Sequence, residues 1–181
     1  MDAEGPSVRL AARPSATLFE GDHTPPGGRV DVVFPVVHGP FCEDGSLQGM
    51  LELADVAYVG AGVLGSAVCM DKDVAKRLAR AAGIATADYV GLQSHEWVHD
   101  RRSCIARVGD ELAYPVFVKP ANMGSSVGIH RVRTERELDA ALDDAFRYDT
   151  KAMVERAIDC REIEVAVLSA LDAAAPPDTS V

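Results

Sequence analysis

The residues of this chain best suited to chemistry lie in the segment YPVFVKPANMGSSVGIHRV, residues 114–132, where a lysine precedes a loop of glycines and serines. Lys119 interrupts an apolar run, and an ammonium group is costly to bury there without an anionic partner. Two glycines and two serines in NMGSSVG, residues 122–128, let the backbone approach an anion closely with N–H and O–H donors turned inwards. This pattern favours phosphate as the ligand, and an ordinary flexible hairpin loop is the alternative.

A second lysine occupies an unfavourable helix position. The stretch MDKDVAKRLARAAG, residues 70–83, predicts a helix that Asp71 caps at its start and Gly83 ends in the left-handed conformation. We expect its apolar face to contain Val74, Leu78 and Ala82. Lys72 falls in the first turn, where its charge meets the positive end of the helix dipole. Such a local conflict is where a functional role is first suspected, and the alternative, which this chain alone leaves open, is a side chain that simply extends into water.

Two carboxylates downstream of the loop are candidates for nucleotide contacts. Glu155 ends an apolar strand and Glu162 begins the next, so both could accept hydrogen bonds from an exocyclic amine or from ribose hydroxyls. Ile158, between them, offers an apolar wall, and two solvated strand-end glutamates are the alternative. The loop at residues 122–128 matches neither the P-loop nor the dinucleotide-binding fingerprint, so both of these are excluded.

The first elements of the chain form a βαβ pattern. Residues 30–37, VDVVFPVV, are a continuous β-branched run that predicts a strand buried on both faces of a parallel sheet. Residues 46–54 predict an amphipathic helix whose apolar face contains Leu47, Met50, Leu51 and Ala54. Residues 56–60 supply the second strand. The preceding residues 6–29 are rich in Pro, Gly and Ala, which indicates loop or weak edge structure.

A second group of strands and helices follows. We predict strands at residues 86–92, 115–120, 128–132, 151–158 and 161–170. Residues 94–112 are polar and poorly periodic, and they indicate no more than a short helix with loops. Thr134 and Glu137 form a capping box that opens a further helix. Its apolar face is predicted to contain Leu138, Ala141, Leu142 and Ala145.

Composition limits the classes of function. The 181 residues are 48% hydrophobic, enough to fill the core of one domain or two small ones. A formal net charge of -10 argues against nucleic-acid binding, which usually needs a basic face. We find no apolar run near the roughly 20 residues of a membrane helix and no secretory signal, so we expect a cytoplasmic protein without a membrane partner. The cysteines lack C-x-x-C spacing, which favours reduced thiols over a zinc site or a disulfide framework.

Four motifs, taken together and in this order, resemble the D-alanine–D-alanine ligase family, a branch of the ATP-grasp enzymes. They are HGPFCEDGSLQG at residues 38–49, CMDKDVAKRLARAAGI at 69–84, the lysine and loop segment at 114–132, and VERAIDCREIEVAVL at 154–168. The resemblance implies an α/β protein in three parts. These are a partial N-terminal βαβ domain at residues 1–60, an α+β central ATP-grasp subdomain at 61–159 and the start of a truncated C-terminal domain at 160–181.

The resemblance also implies a reaction. In the family, ATP phosphorylates the carboxylate of one D-alanine, and the amine of a second D-alanine attacks the acyl phosphate. The products are D-alanyl-D-alanine, a peptidoglycan precursor, with ADP and phosphate. D-alanine and ATP are therefore the expected partners, and magnesium is the expected metal of a full-length member. The family commonly forms homodimers through the N-terminal domain, an expectation that we do not extend to this chain because part of that domain is missing.

Nucleotide-binding residues follow from the matched positions. The resemblance implies that Lys72 and Lys119 meet the ATP phosphates and that the loop carrying Ser125 and Ser126 folds over them. The positions that hold adenine and ribose are matched by Glu155, Ala157, Ile158 and Glu162. A backbone contact to adenine is expected at Ala157.

Catalytic roles are implied for two residues. His38 matches the family histidine near the first substrate and the acyl phosphate, and Glu43 is expected to orient it from the same loop. Ser125 matches a serine in a hydrogen-bonded triad at the substrate site. Cys42 stands where the family motif has glycine, and it would be strained if the backbone there needs a positive φ.

Two departures from the family pattern bear on activity. The family's first strand and glycine-rich loop have no counterpart before Val30, and the half that supplies the magnesium ligands is absent after Val181. No metal ligand is therefore predicted in this chain, and we expect the chain alone to be catalytically inactive. The alternatives are a nucleotide-binding module without chemistry, an aggregation-prone remnant, and a relative that joins D-alanine to D-lactate or D-serine.

Overall fold

The computed structural model describes residues 9–11, 18–20 and 30–165. The first two ranges are strands β1, Arg9–Ala11, and β2, Leu18–Glu20, which pair antiparallel. Loop or weak edge structure was predicted for residues 6–29, and the described part of that stretch is this short two-stranded pair. The rest of that prediction lies outside the described residues.

A small βαβ unit follows and confirms the predicted pattern. Strand β3, Val32–Val33, pairs parallel with β4, Ala57–Tyr58, and helix α1, Ser46–Leu53, connects them. The core of the unit contains Leu51, Ala54 and Val56, with Leu47 partly buried against it. The predicted face of α1 is wrong at Met50, which is 46% exposed.

The prediction of a strand buried on both faces at residues 30–37 is wrong. Only two of these residues form a strand, while Phe34 and Val36 are 70% and 73% exposed. One helix covers one face of a two-stranded sheet, and in the part of the chain that the structure describes no second layer covers the other face. A β-branched run therefore indicated the strand but not its burial.

Two consecutive helices lead from this unit to the next. Helix α2, Val63–Met70, was not predicted, and α3, Lys72–Ala81, was. The Asp71 carboxylate caps α3 by accepting from the N–H groups of Asp73 and Val74, and Gly83 follows with a φ of 77°. The predicted apolar face is wrong, because Leu78 is 52% exposed and Asp73 only 3%. Helix α3 packs its polar side inwards, where ion pairs replace apolar contacts.

The largest unit is a four-stranded antiparallel sheet. Its strands are β5, Tyr89–Gln93; β6, Val116–Pro120; β7, His130–Val132; and β8, Lys151–Arg156. They lie in the order β5-β8-β6-β7. The four corresponding strand predictions are confirmed. The fifth, at residues 161–170, is wrong for residues 161–165, which form no strand, and otherwise lies outside the described residues.

Three helices cover one face of this sheet: α4, Ser94–His99; α5, Arg101–Glu111; and α6, Glu135–Ala145. The core between them contains Trp97, Cys104, Val108, Val118, Leu138, Leu142 and Val154. All four residues of the predicted α6 face are buried. The region 94–112 contains two helices rather than one short one. The capping box is wrong, since Glu137 accepts from the N–H of Arg133 at 2.7 Å and the Thr134 side chain makes no cap.

The alternation of strand residues leaves a second, polar face on the same sheet. Val116 and Val118 point into the core, so Lys119 points to the opposite side. The register sets Lys119 opposite Met153 and Phe117 opposite Glu155, which places Glu155 on that same side. In the described ranges of the chain we find no helix both long and apolar enough to cross a membrane.

We predict that Gly128→Ala destabilises the sheet unit. Gly128 has a φ of 67°, and an added Cβ would lie 2.7 Å from Tyr148 Cδ2 and 2.8 Å from Pro120 Cγ. Backbone strain and the clash should lower the free energy of unfolding by about 1–3 kcal/mol. Urea unfolding followed by the fluorescence of Trp97, the single tryptophan, measures the change.

The matched control is Gly109→Ala in α5, where an added Cβ meets nothing within 4 Å. That substitution should stabilise by up to about 1 kcal/mol, because alanine favours helix. Equal unfolding midpoints for the two variants would contradict the account.

Candidate functional site

The polar face of the sheet contains a carboxylate between two ammonium groups. Lys119 of β6 forms an ion pair with Glu155 Oε2 of β8, and Lys76 of α3 forms one with Glu155 Oε1. Glu155 is only 9% exposed. It is therefore not a solvated strand-end glutamate. Burial opposes ionisation of Glu155, but the hydrogen bonds from Lys119 and Lys76 outweigh it and hold the pKa of this carboxyl below its usual value.

Lys72 lies beside this cluster at the start of the loop. Its backbone N–H donates to the carbonyl of Ala121 at 3.1 Å. Its ammonium group donates to the carbonyls of Ala121 and Met123. Burial, and then repulsion by the Lys119 charge, lower the pKa of Lys72. The alternative of a side chain extended into water is thus excluded, and the two lysines singled out from the sequence lie close together.

The glycine-serine loop has a constrained tip. Ser125 and Ser126 have φ values of 50° and 60°, and the N–H of Val127 donates to the carbonyl of Gly124 at 3.1 Å. Positive φ at both central residues is the mark of a type I′ turn, which is unfavourable for serine. Both serines are exposed. Strained backbone of this kind concentrates at ligand-binding sites, which supports the loop as a candidate site.

Two carboxylates anchor the parts that meet here. Asp149 accepts from the backbone N–H of Asn122 at 2.7 Å and from its side-chain amide at 3.0 Å, which fixes the start of the loop. Lys151 donates to Asp71, the cap of α3, at 2.6 Å. Because Lys72 directly follows Asp71, Asp149 before β8 positions the loop and Lys151 at the start of β8 positions the lysine.

The loop that follows β3 approaches the glycine-serine loop. Glu43 Oε2 accepts from the N–H of Gly39 at 2.6 Å, and a Cβ built on Gly124 would lie 3.9 Å from that same oxygen. The described contact of Glu43 is thus with the backbone N–H that follows His38, and orientation of the His38 side chain by Glu43 stays a prediction. His38 is exposed. Cys42 is not strained, because the non-glycine residue with positive φ here is Phe41, at 68°.

The remaining predicted residues lie beyond the end of β8. Ala157 donates its N–H to the carbonyl of Pro115 at 3.1 Å, so a backbone contact to a ligand would have to use its carbonyl. Ile158 is 50% exposed, and Glu162 is exposed in a stretch without regular structure. No described contact brings Ile158 or Glu162 to the lysines.

Sequence reasoning missed Lys76. The signal was present, because Lys76 follows Lys72 by one helical turn and residues at i and i+4 share a helix face. Within residues 30–165, together with the two short strands before them, no group of three or more His, Cys, Asp or Glu side chains could hold a metal ion. We therefore assign no metal ligand.

Two family models match the chain. One, described as the D-ala D-ala ligase N-terminus, covers residues 7–61, and the other, the D-ala D-ala ligase C-terminus, covers residues 78–178. The first match begins upstream of Val30, so similarity to the family extends further towards the N-terminus than the motifs indicated.

Curated relatives and solved structures agree with these matches. The chain is 59% identical over 170 residues to D-alanine–D-alanine ligase A of Bradyrhizobium diazoefficiens, covering 91% of this chain and 45% of that protein. It is 57% identical over 154 residues to D-alanine–D-alanine ligase A of Chromobacterium violaceum, covering 85% and 41%. The chain thus spans less than half the length of these relatives.

Among solved structures, the VanG D-Ala:D-Ser ligase of Enterococcus faecalis has a TM-score of 0.73 at 37% identity, covering 87% of this chain and 45% of that one. The D-alanine–D-alanine ligase of Coxiella burnetii also has a TM-score of 0.73, at 38% identity, covering 84% and 42%.

We predict that Glu155→Gln makes stability less dependent on pH. The folded pKa of Glu155 lies below its unfolded value, so the carboxylate stabilises fully above the unfolded pKa of about 4.5 and progressively less as pH falls through the lowered folded pKa. In Glu155→Gln two mostly buried lysines lose their anionic partner, which should lower the free energy of unfolding by about 3 kcal/mol at pH 7.

Urea unfolding from pH 7 to pH 3 should therefore show the wild type and Glu155→Gln converging as the solution is acidified. Glu111→Gln, an exposed glutamate in α5, is the control and should remain within about 0.5 kcal/mol of the wild type at pH 7. A constant gap between the wild type and Glu155→Gln across the pH range would contradict the assigned ion pairs.

Proposed function

Because the chain belongs to the D-alanine–D-alanine ligase family, we propose that it contributes the nucleotide-binding face to the ATP-dependent joining of two D-alanines. The proposed reaction forms D-alanyl-D-alanine, ADP and phosphate through an acyl phosphate, and it supplies a peptidoglycan precursor in the cytoplasm. The proposed division into residues 1–60, 61–159 and 160–181 accompanies this assignment.

The observation that carries the proposal is the convergence of Lys72 and Lys119 at the start of a strained serine loop. The pKa of Lys72 is lowered by burial and by the neighbouring Lys119 charge, so an anion placed between the two ammonium groups would relieve an unfavourable interaction. A triphosphate brings several charges and acceptor oxygens to such a site. Ser125 and Ser126 are exposed, and in this proposal their hydroxyls close over the triphosphate.

The remaining site residues are assigned to the adenine, the ribose and the D-alanine substrate. We propose that adenine and ribose lie beyond β8, against Ile158, with hydrogen bonds to Glu155, Glu162 and the Ala157 carbonyl. His38 is proposed to lie near the acyl phosphate, on a loop whose backbone Glu43 holds. Ser125 then serves both the phosphate loop and the D-alanine site.

These residues act by position and charge. In phosphoryl transfer, catalysis rests on aligning the reacting groups and on stabilising charge as it develops. The ammonium groups of Lys72 and Lys119 meet that need from one side of the phosphates. Magnesium, when bound, neutralises further phosphate charge. The described residues contain no ligand cluster for it, and so no step is assigned to it here.

D-alanine is the proposed second substrate. Curated relatives with names of D-alanine–D-alanine ligases are 50–59% identical to this chain. The two solved structures do not separate the substrates, since the D-Ala:D-Ser ligase is 37% identical, the D-alanine–D-alanine ligase is 38% identical, and both have a TM-score of 0.73.

We predict that Lys72→Ala and Lys119→Ala each weaken ATP binding about tenfold or more. Each removes a charged hydrogen-bond donor to phosphate, a contact worth roughly 1.5–3 kcal/mol. Titration calorimetry with ATP measures the affinities. Arg136→Ala, an equal charge change at an exposed position in α6, is the control and should alter affinity less than twofold.

We expect ATP binding that depends on both lysines, without phosphate release from this chain alone. Phosphate release that requires D-alanine would show that the chain alone carries out the ligase reaction, against the inactivity expected from the sequence. ATP affinity that is unchanged in both lysine variants would contradict the site itself.

A further inference from the structure

Lys76 has no role in the function proposed so far, yet its contacts are specific. Its ammonium group forms an ion pair with Glu155 and donates to the Ala87 carbonyl at 3.3 Å. It also lies 5.3 Å from the centroid of the Tyr89 ring. The side chain is 17% exposed. Lys76 is thus held by a carboxylate, a carbonyl and an aromatic ring.

Lys119 is held much less firmly. Among the described residues its one described hydrogen-bond partner is Glu155, and its ammonium group lies 5.7 Å from the centroid of the Phe117 ring. The positive charge of Lys72 is close enough to affect it unfavourably. An incoming anion beside Lys72 would therefore attract Lys119 away from Glu155 at little cost to Lys119 itself.

The cost would fall on Glu155. A mostly buried carboxylate that loses its last partner is strongly unfavourable, because its desolvation is no longer compensated. Lys119 and Lys76 bind different oxygens of this carboxylate, Oε2 and Oε1. When Lys119 leaves, Lys76 still neutralises Glu155, and Oε2 becomes available to a new donor.

We propose that Lys76 is a positioning residue that keeps Glu155 paired, so that Lys119 can exchange this carboxylate for a phosphate of the incoming nucleotide. The inference rests on the proposed function, since it requires a polyphosphate ligand at Lys72 and Lys119. In the free chain Glu155 competes with phosphate for Lys119. In the bound chain its released oxygen faces the nucleotide and can accept from the base or the ribose.

Affinity for inorganic tripolyphosphate, measured by titration calorimetry, tests the exchange without the base. Lys76→Met should bind at least fivefold more weakly than the wild type, because Lys119 is then the sole partner of Glu155. Lys76→Arg should remain within twofold. Adding Glu155→Gln to Lys76→Met should restore binding to within twofold of the wild type or tighter, since no carboxylate then retains Lys119. Arg102→Met, exposed in α5, controls for the loss of one positive charge.

Side-chain ammonium resonances of the wild type provide the second measurement, which does not depend on any variant folding. The chain has four lysines, Lys72, Lys76, Lys119 and Lys151, so their signals are readily assigned. Tripolyphosphate should shift the Lys72 and Lys119 signals strongly and the Lys76 signal less than a third as much.

Three results would overturn the inference. An equal shift of Lys76 and Lys119 would show that Lys76 also meets phosphate. Lys76→Met binding as tightly as the wild type would show that Lys119 needs no second cation on Glu155. If the wild type binds neither tripolyphosphate nor ATP, the proposed function fails, and this inference fails with it. If the wild type binds ATP, either of the first two results contradicts the exchange alone and leaves the proposed function standing.

Discussion

The buried carboxylate of Glu155, paired with Lys119 across the sheet and with Lys76 from helix α3, is the constraint on which the rest of the structure depends. Ammonium groups held against the polar face of the sheet are partly desolvated, and they need an anionic partner to compensate. Glu155 is that partner. Through Lys76 it also holds helix α3 to the sheet, although the apolar side of α3 is exposed. The polar face is thus built around charge, and the opposite face around an ordinary apolar core.

The loops around this ion cluster are positioned by carboxylates that accept hydrogen bonds from backbone N–H groups. Asp71 caps α3 and receives Lys151, while Asp149 holds the first residue of the glycine-serine loop. Glu43 does the same for the loop that carries His38. Three loops that are distant in sequence therefore approach one another in a defined arrangement. Under the proposed function, such preorganisation would set the charged groups in place before the transition state forms.

Regular patterns in the sequence predicted much of the fold. The strands of the large sheet and the buried face of α6 follow from strong alternation and helical periodicity, and both are confirmed. The predictions were wrong where tertiary contacts decide. Helix α3 turns Asp73 rather than Leu78 inwards because charged side chains of the sheet form ion pairs with its polar side. Strand β3 remains exposed because a single helix packs on it.

The candidate site divides in the same way. Lys72, Lys119 and the serine loop could be singled out because each conflicts with its local surroundings, and the structure brings them together. The pairing of Lys76 with Glu155 joins residues 79 positions apart, and no local pattern specifies such a contact. The backbone contact of Glu43 was likewise beyond sequence reasoning, since a carboxylate in a loop has several possible partners.

A crystal structure of the chain with a non-hydrolysable ATP analogue tests the central claim most directly. We expect phosphate oxygens within hydrogen-bond distance of the Lys72 and Lys119 ammonium groups, under the loop of Ser125 and Ser126, with Lys76 still paired with Glu155. A nucleotide bound elsewhere, or Lys119 still paired with Glu155 in the complex, would contradict it.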